Sequence, residues 1–410
     1  MTIRAATAHR LGAAAVVLGL LTPACGDSGF VAGSDDFGDS GGETTANDED
    51  TGDPEAVGEL ARGVSVLDVR VNQGVAVAVA DGGGWIGGTG RNARLIAGRP
   101  SLVQVRFERS AAVASREVEV WLVLEHTTLP LDPLRILVPA SAPSQVEVDF
   151  LLDPKRGHTD PGVTFRVELR DPVGAPVNEA ALEQALSPAD GPGLIGFEPL
   201  TLVPEIVLVP VHRPGEPAPD IDEEKVHGWL MAWMPASTIE LSVHAPLEVE
   251  YGKQLGGSFF DLDGLRQQEM PADDVSYVGV VADPDRELDA WAVGFRALPV
   301  PEDAASRLAM VALGSGSVAD ERIDASSFAF ALYIHHGMES SDCPDVDWSP
   351  SDPDYPYPDG KIGVWGWDMS ENRLLDPGTT YDLSTHCEPR WISDYTWTRT
   401  LDSLRITSGW

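Results

Sequence analysis

Between residues 60 and 205 the chain returns again and again to one pattern, an apolar residue at every second position. The runs are VSVLDVRVNQGVAVAVA (64–80), LVQVRFER (102–109), REVEVWLVLE (116–125), SQVEVDFLL (144–152) and GVTFRVELRD (162–171). A period of two puts valines on one face of a strand and polar residues on the other, and valine is stiff in a way that suits a pleated sheet. Gly- and Pro-containing turns separate the runs at hairpin spacing. The pattern predicts an antiparallel β-sandwich over 60–204. The GGGWIGGTG run (82–90) has spaced glycines, but no helical pattern follows it. It reads as an inter-strand loop with Trp85 at its tip, not as a dinucleotide fingerprint.

After Pro204 the pattern changes. EIVLVPVHR (205–213) is a continuous apolar strand, and DEEKVHGWLMAWM (222–234) is a helix with acidic residues in its first turn. STIELSVHAPLEV (237–249) reads as a strand, FFDLDGLRQQE (259–269) as a helix and VSYVGVVA (275–282) as a strand suited to a sheet centre. RLAMVALGSG (307–316) is a further strand. A last helix spans 324–337, with Asp324 as N-cap and Gly337 as its left-handed stop. Alternating strands and helices predict an α+β or α/β-like domain over 205–410.

The start of the chain reads as an address. Arg4 and Arg10 precede the apolar run LGAAAVVLGLL (11–21), which is too short to span a bilayer and suits an export signal over 1–24. Cys25 follows Ala24, a lipobox-like arrangement in which the cysteine carries lipid; ordinary signal cleavage nearby, giving a secreted protein, is the alternative. Residues 25–59 are rich in Gly, Ser, Thr, Asp and Glu, with almost no large apolar residues and no Lys or Arg, a composition that reads as an extended acidic tether. Asp35, Asp36 and Asp39 lack the spacing of an EF-hand loop. The whole chain carries 28 basic against 65 acidic side chains, a formal net charge of −37. That charge repels phosphate backbones and anionic lipid surfaces, so nucleic acid is excluded as a partner and membrane attachment rests on the anchor.

The C-terminal quarter carries the most specific motifs. Residues 328–343 read FAFALYIHHGMESSDC, and 352–397 contain a Tyr-Pro-rich turn, IGVWG (362–366), which reads as a strand, Cys387 and PRWISDY (389–395). In this order they resemble the C-terminal part of secreted bacterial metzincin-like zinc metalloproteases, and the resemblance extends more loosely over most of the mature chain. Such enzymes write H-E-x-x-H-x-x-G-x-x-H, followed by a methionine turn. With Gly337 on the motif glycine, Phe330 stands at the first histidine and Ala331 at the general-base glutamate. Ile334 then stands at the second histidine, Ser340 at the third and Ser384 at the methionine. Positions 330 and 334 share one helix face, where an enzyme offers two imidazoles to zinc; here that face offers a phenyl ring and an aliphatic branch. Among the nine histidines there is no H-x-x-x-H. His335, His336 and His386 leave open an unusual metal site against ordinary surface histidines, although adjacent helical residues point about 100° apart.

The resemblance implies a metzincin-type domain in which the strand before the 324–337 helix borders the cleft. With Cys25 lipidated, Cys343 and Cys387 remain as a disulfide pair closing a loop of about 45 residues, worth on the order of 3–4 kcal/mol in the chain-entropy model. Asp342, Asp345, Asp347, Asp352, Asp354 and Asp359 allow calcium binding, but turn-forming Asp-Pro and Asp-Gly pairs explain them more simply. Trp348, Tyr355, Tyr357, Trp365 and Trp367 read as groove lining or as packing. The expected function is an envelope lipoprotein with an inactive protease-like domain that binds a peptide, glycoprotein or envelope partner, with zinc lost. The alternative is an active zinc metalloendopeptidase with a different ligand set. A sugar-binding role for the sandwich rests on fold alone.

Overall fold

In the computed structural model the valine-rich half is built from two antiparallel sheets, and the molecule as a whole is β-rich. The described residues are 57–113, 115–176, 180–200, 203–250, 258–272, 275–283, 292–294, 308–314, 352–385 and 387–407. The chain divides into two units, Met1–Glu55 and Ala56–Trp410, and all described residues belong to the second.

The first sheet contains β1 (Val64–Asn72), β2 (Ala76–Asp81), β3 (Gly84–Trp85), β5 (Ser101–Arg109) and β8 (Gln145–Leu152), in the order β3-β2-β1-β5-β8. The second contains β6 (Val118–Glu125), β7 (Leu134–Val138), β9 (Thr164–Arg170), β10 (Leu186–Ser187) and β11 (Gly193–Leu194). β4 (Leu95–Ile96) and β12 (Phe197–Glu198) pair in parallel. Val69, Val103 and Phe107 of one sheet and Val120, Leu122 and Val167 of the other lie in a single buried core. The run 64–80 divides at Gln73-Gly74-Val75 into the hairpin β1–β2, with Gly74 at φ 122°. Within β1 the buried set changes phase, from Val64 and Val66 to Val69 and Val71. A register shift between Val66 and Asp68 explains the slip, because one extra residue moves every later side chain to the other face.

The third sheet is mostly parallel: β13 (Glu205–His212), β14 (Glu240–Val243), β15 (Leu247–Glu248), β16 (Val275–Asp283), β17 (Ala292–Gly294) and β18 (Leu308–Gly314), in the order β14-β13-β16-β18-β17 with β15 also on β13. Parallel neighbours need crossovers. Helix α1 (Glu223–Trp233) links β13 to β14, and α2 (Ser258–Glu269) links β15 to β16. The Asp222 side chain accepts the Lys225 N–H and caps α1. Both faces of β13 are buried, Ile206 and Leu208 in a cluster with Val226 and Leu230 of α1, and Val207, Val209 and Val211 in a cluster with Leu262 of α2. That two-sided burial is why the strand reads as a continuous apolar run. Pro210 falls where β14 gives way to β15 along β13, so its missing N–H costs no ladder bond there.

The expected central place of 275–282 holds, since β16 lies between β13 and β18. The expected helix at 324–337, and the cleft that the resemblance sets beside the strand preceding it, lie outside the described residues. β18 is paired on both sides, and the outer position falls to β17, the antiparallel partner of β18. The IGVWG run differs from expectation: it is not a strand. Gly363 adopts φ 71°, which breaks an extended run, and strand β19 (Gly366–Asp368) begins only at its last residue. β19 pairs with β20 (Arg373–Leu375), β21 (Tyr381–Asp382) pairs with β22 (Arg390–Trp391), and helix α3 (Asp394–Thr407) ends the described chain.

Candidate functional site

The candidate residues at 330, 331, 334, 337, 340 and 343 lie outside the described residues, as do Cys25, His335, His336 and His386. Ser384 and Cys387 are described. Ser384 follows β21 in a turn built on Asp382, whose carboxylate is fully buried. Asp382 Oδ1 accepts the Ser384 N–H at 2.8 Å, the Ser384 hydroxyl at 2.6 Å and the Thr396 hydroxyl at 2.9 Å. Its Oδ2 accepts the Ser393 N–H at 2.8 Å. Ser393 in turn caps α3, its hydroxyl accepting the Thr396 N–H at 3.0 Å. A buried carboxylate is sustained here by four donors and the positive end of a helix. At the position where the resemblance implies a thioether under zinc, the chain has a hydroxyl already committed to Asp382.

The residue types at the motif positions do not fit zinc. Phe330 and Ile334 carry no lone pair, and Ser384 is turned to Asp382. Among the described residues no three His, Cys, Asp or Glu side chains group as a metal site. Cys387 is half of a disulfide, and both other cysteines of the chain, Cys25 and Cys343, lie outside the described residues.

The aromatic cluster after 352 is mainly packing. Tyr355 meets Tyr357 and Tyr395 edge-on at 6.0 and 5.4 Å. Burial pushes the phenols of Tyr355 and Tyr357 well above the usual tyrosine range. Tyr357 donates to Asp394 Oδ1 at 2.7 Å and Asn92 to Oδ2 at 2.7 Å, while burial holds the Asp394 carboxyl above its ordinary value. Asp352 accepts from Tyr395 at 2.9 Å and pairs with Arg399 at 2.6 Å, and its other oxygen accepts the Asp354 N–H. Its carboxylate therefore works in a turn and an ion pair. Trp367 is buried, with its indole N–H on Asn372. Trp365 remains partly exposed.

One concavity does form in this region. A pocket of about 320 Å³ opens between α1 and the segment 368–391. Trp229, Trp233 and Trp391 line it, with Trp233 and Trp391 edge-to-face at 6.0 Å. Trp391 is fixed from behind by its indole N–H on the Gly74 carbonyl at 2.7 Å. Around the aromatic wall stand Arg373, 3.1 Å from Glu371, and Arg390, which donates to Glu388 at 2.7 Å. Asp368 braces the adjoining hairpin, accepting the Ser370 hydroxyl at 2.6 Å. The buried Thr380 also lines the space. Indole surface beside forked cations and carboxylates suits a ligand with an apolar face and polar substituents. The pocket was not anticipated in the sequence. Its signal was the four-residue spacing of Trp229 and Trp233, which puts both rings on one face of α1.

No protein-family model matches the chain, and no curated protein matches it significantly.

Proposed function

We propose that this chain is a non-catalytic binding protein: a metzincin-like domain that has lost its zinc chemistry, joined to a β-sandwich and held at the cell envelope by lipid on Cys25. A peptide, glycoprotein or envelope protein is its partner, and the tryptophan-walled pocket is the contact we assign to that partner. The reading is carried by Ser384. Its hydroxyl is spent on the buried Asp382, at the position where the family resemblance implies a methionine beneath the metal. The residues at 330, 331, 334 and 340 support it, since phenylalanine, alanine, isoleucine and serine supply neither imidazole ligands nor a general base.

Incubation of the purified protein with casein and with a mucin-type glycoprotein, each with and without chelator, tests the reading. The expected result is no cleavage in any arm. Chelator-sensitive cleavage would overturn it in favour of an active zinc endopeptidase. For the anchor, Cys25→Ala in an exporting cell is expected to move the protein from the membrane fraction to the soluble one; unchanged membrane retention would remove lipidation from the account.

A further inference from the structure

A groove of about 690 Å³ runs between α1 and β14, the outermost described strand on that side of the parallel sheet. Ile239 is buried in its floor and Leu241 half-buried. Its charged lining is one-sided: Glu205, Glu223, Glu224 and Glu240, all exposed, with His227 and no Lys or Arg.

The backbone of β14 presents a second feature along this groove. Glu240 donates its N–H to Pro204 at 2.9 Å and His244 donates to Leu208 at 2.8 Å. In a parallel ladder the inward-bonding residues alternate, so 240, 242 and 244 face β13. The N–H and C=O groups of Leu241 and Val243 therefore point away from the sheet. Among the described residues no strand pairs with that side. Edges are commonly guarded by lysine, proline or a bulge, and residues 240–243 contain neither residue.

Charge selects the occupant. The chain's own 26–59 segment is acidic and lacks Lys and Arg, and a second copy carries the same net −37. Both are repelled by four carboxylates. A positively charged extended segment meets both features at once: its backbone completes the ladder on Leu241 and Val243, and its alternate side chains reach the glutamates.

We propose that the β14 edge and its acidic groove bind a basic, extended peptide segment of a partner protein by strand addition. The site is separate from the tryptophan-walled pocket and does not depend on the loss of zinc chemistry.

The test uses the full chain and a fluorescent eight-residue peptide of alternating Lys and Val, followed by anisotropy at low salt. Two control peptides accompany it, one with Glu in place of Lys and one with Pro in place of two of the valines. Saturable binding of the Lys-Val peptide is expected, with at least about tenfold weaker binding of both controls. The protein variant Val243→Pro removes an outward N–H and leaves the bonds to β13 intact; it should weaken binding about tenfold with unchanged circular dichroism. The triple variant Glu223→Gln, Glu224→Gln, Glu240→Gln should do the same. Absence of saturable binding overturns the proposal. Equal binding of the Pro-containing peptide, or by the Val243→Pro protein, also overturns it, because attraction to a polyanionic surface alone would then explain the signal.

Discussion

The sandwich and the parallel sheet are made of similar valine-rich strands, yet they complete their cores in different ways. The parallel sheet closes over both faces with its neighbouring helices, α1 on the side of Leu208 and α2 on the side of Val209. The sandwich core instead takes in Ile362, Leu383, Trp391, Trp397 and Leu401, residues far along the chain, together with Trp233 of α1. The junction is dense. Asn72 donates to the Trp365 carbonyl at 3.1 Å, and the Gly74 carbonyl accepts both the Trp367 N–H and the Trp391 indole N–H. The fully buried Arg99 lies 5.2 Å from the Trp397 ring and donates to the carbonyls of Gln73, Ala232, Met234 and Ala236. Its cation thus sits where α1 ends and its carbonyls lack helical partners. A boundary drawn at residue 204 follows the change in secondary structure, but the packing crosses it.

This contrast predicts where damage spreads. Trp397→Ala should have the largest effect, about 3–5 kcal/mol, because it empties a fully buried site between sandwich and α3. Urea unfolding measures the loss. Hydrogen exchange should show weakened protection in β1 and β5 as well as in α3; weakening of α3 alone would break the idea of a shared core. Leu208→Ala should cost roughly 2–4 kcal/mol, with lost protection concentrated in β13 and β16. Equal loss throughout the sandwich would mean that the two regions are not distinct.

Gly74→Ala probes the junction at its narrowest point. A Cβ there would stand 3.0 Å from the Ala232 carbonyl and 3.2 Å from the Trp397 ring, on a backbone at φ 122°. The expected cost is on the order of 1–3 kcal/mol, seen as a lower urea midpoint with sandwich and α3 signals moving together. Separate transitions for the two signals would contradict that expectation.

The smallest effect belongs to the parallel sheet and depends on pH. Tyr277 donates to Glu269 at 2.6 Å, and His244 Nε2 lies 2.8 Å from the same carboxylate. These hydrogen bonds, that of Tyr277 foremost, hold Glu269 below its ordinary 4.5, while burial and Glu269 push the Tyr277 phenol up to about 12. A lowered carboxylate adds stability above its unfolded pKa and loses it as pH falls through the folded one. The stability gap between the native protein and Glu269→Gln should therefore be present at neutral pH and shrink as pH drops below 4.5. A gap that does not change with pH would contradict the assignment.

Most elements from 205 to 283 were legible because each run declares its own period, whether two-sided apolar strand or helix; the single strand expected over 237–249 is instead the two short strands β14 and β15. The sandwich was legible for the same reason, apart from the slip after Val66 and the short strands β3, β4, β7, β10, β11 and β12. IGVWG misled because its apolar letters suit a strand while Gly363 takes a left-handed backbone. The junction left no local signal, since Arg99, Gly74 and Trp397 meet only through the fold. Ser384 could be placed by its distance from Cys387, but Asp382, which holds it, could not. The pocket was half written in Trp229 and Trp233, and its third indole comes from residue 391.

The central claim, our proposal that the chain binds through a metzincin-like scaffold without metal chemistry, is tested most directly by metal content. The chain should be exported, purified without chelator and analysed for zinc after gel filtration. The account predicts no stoichiometric zinc. One zinc per chain that persists through gel filtration and is lost on Ser340→Ala or on replacement of His335, His336 or His386 would contradict it.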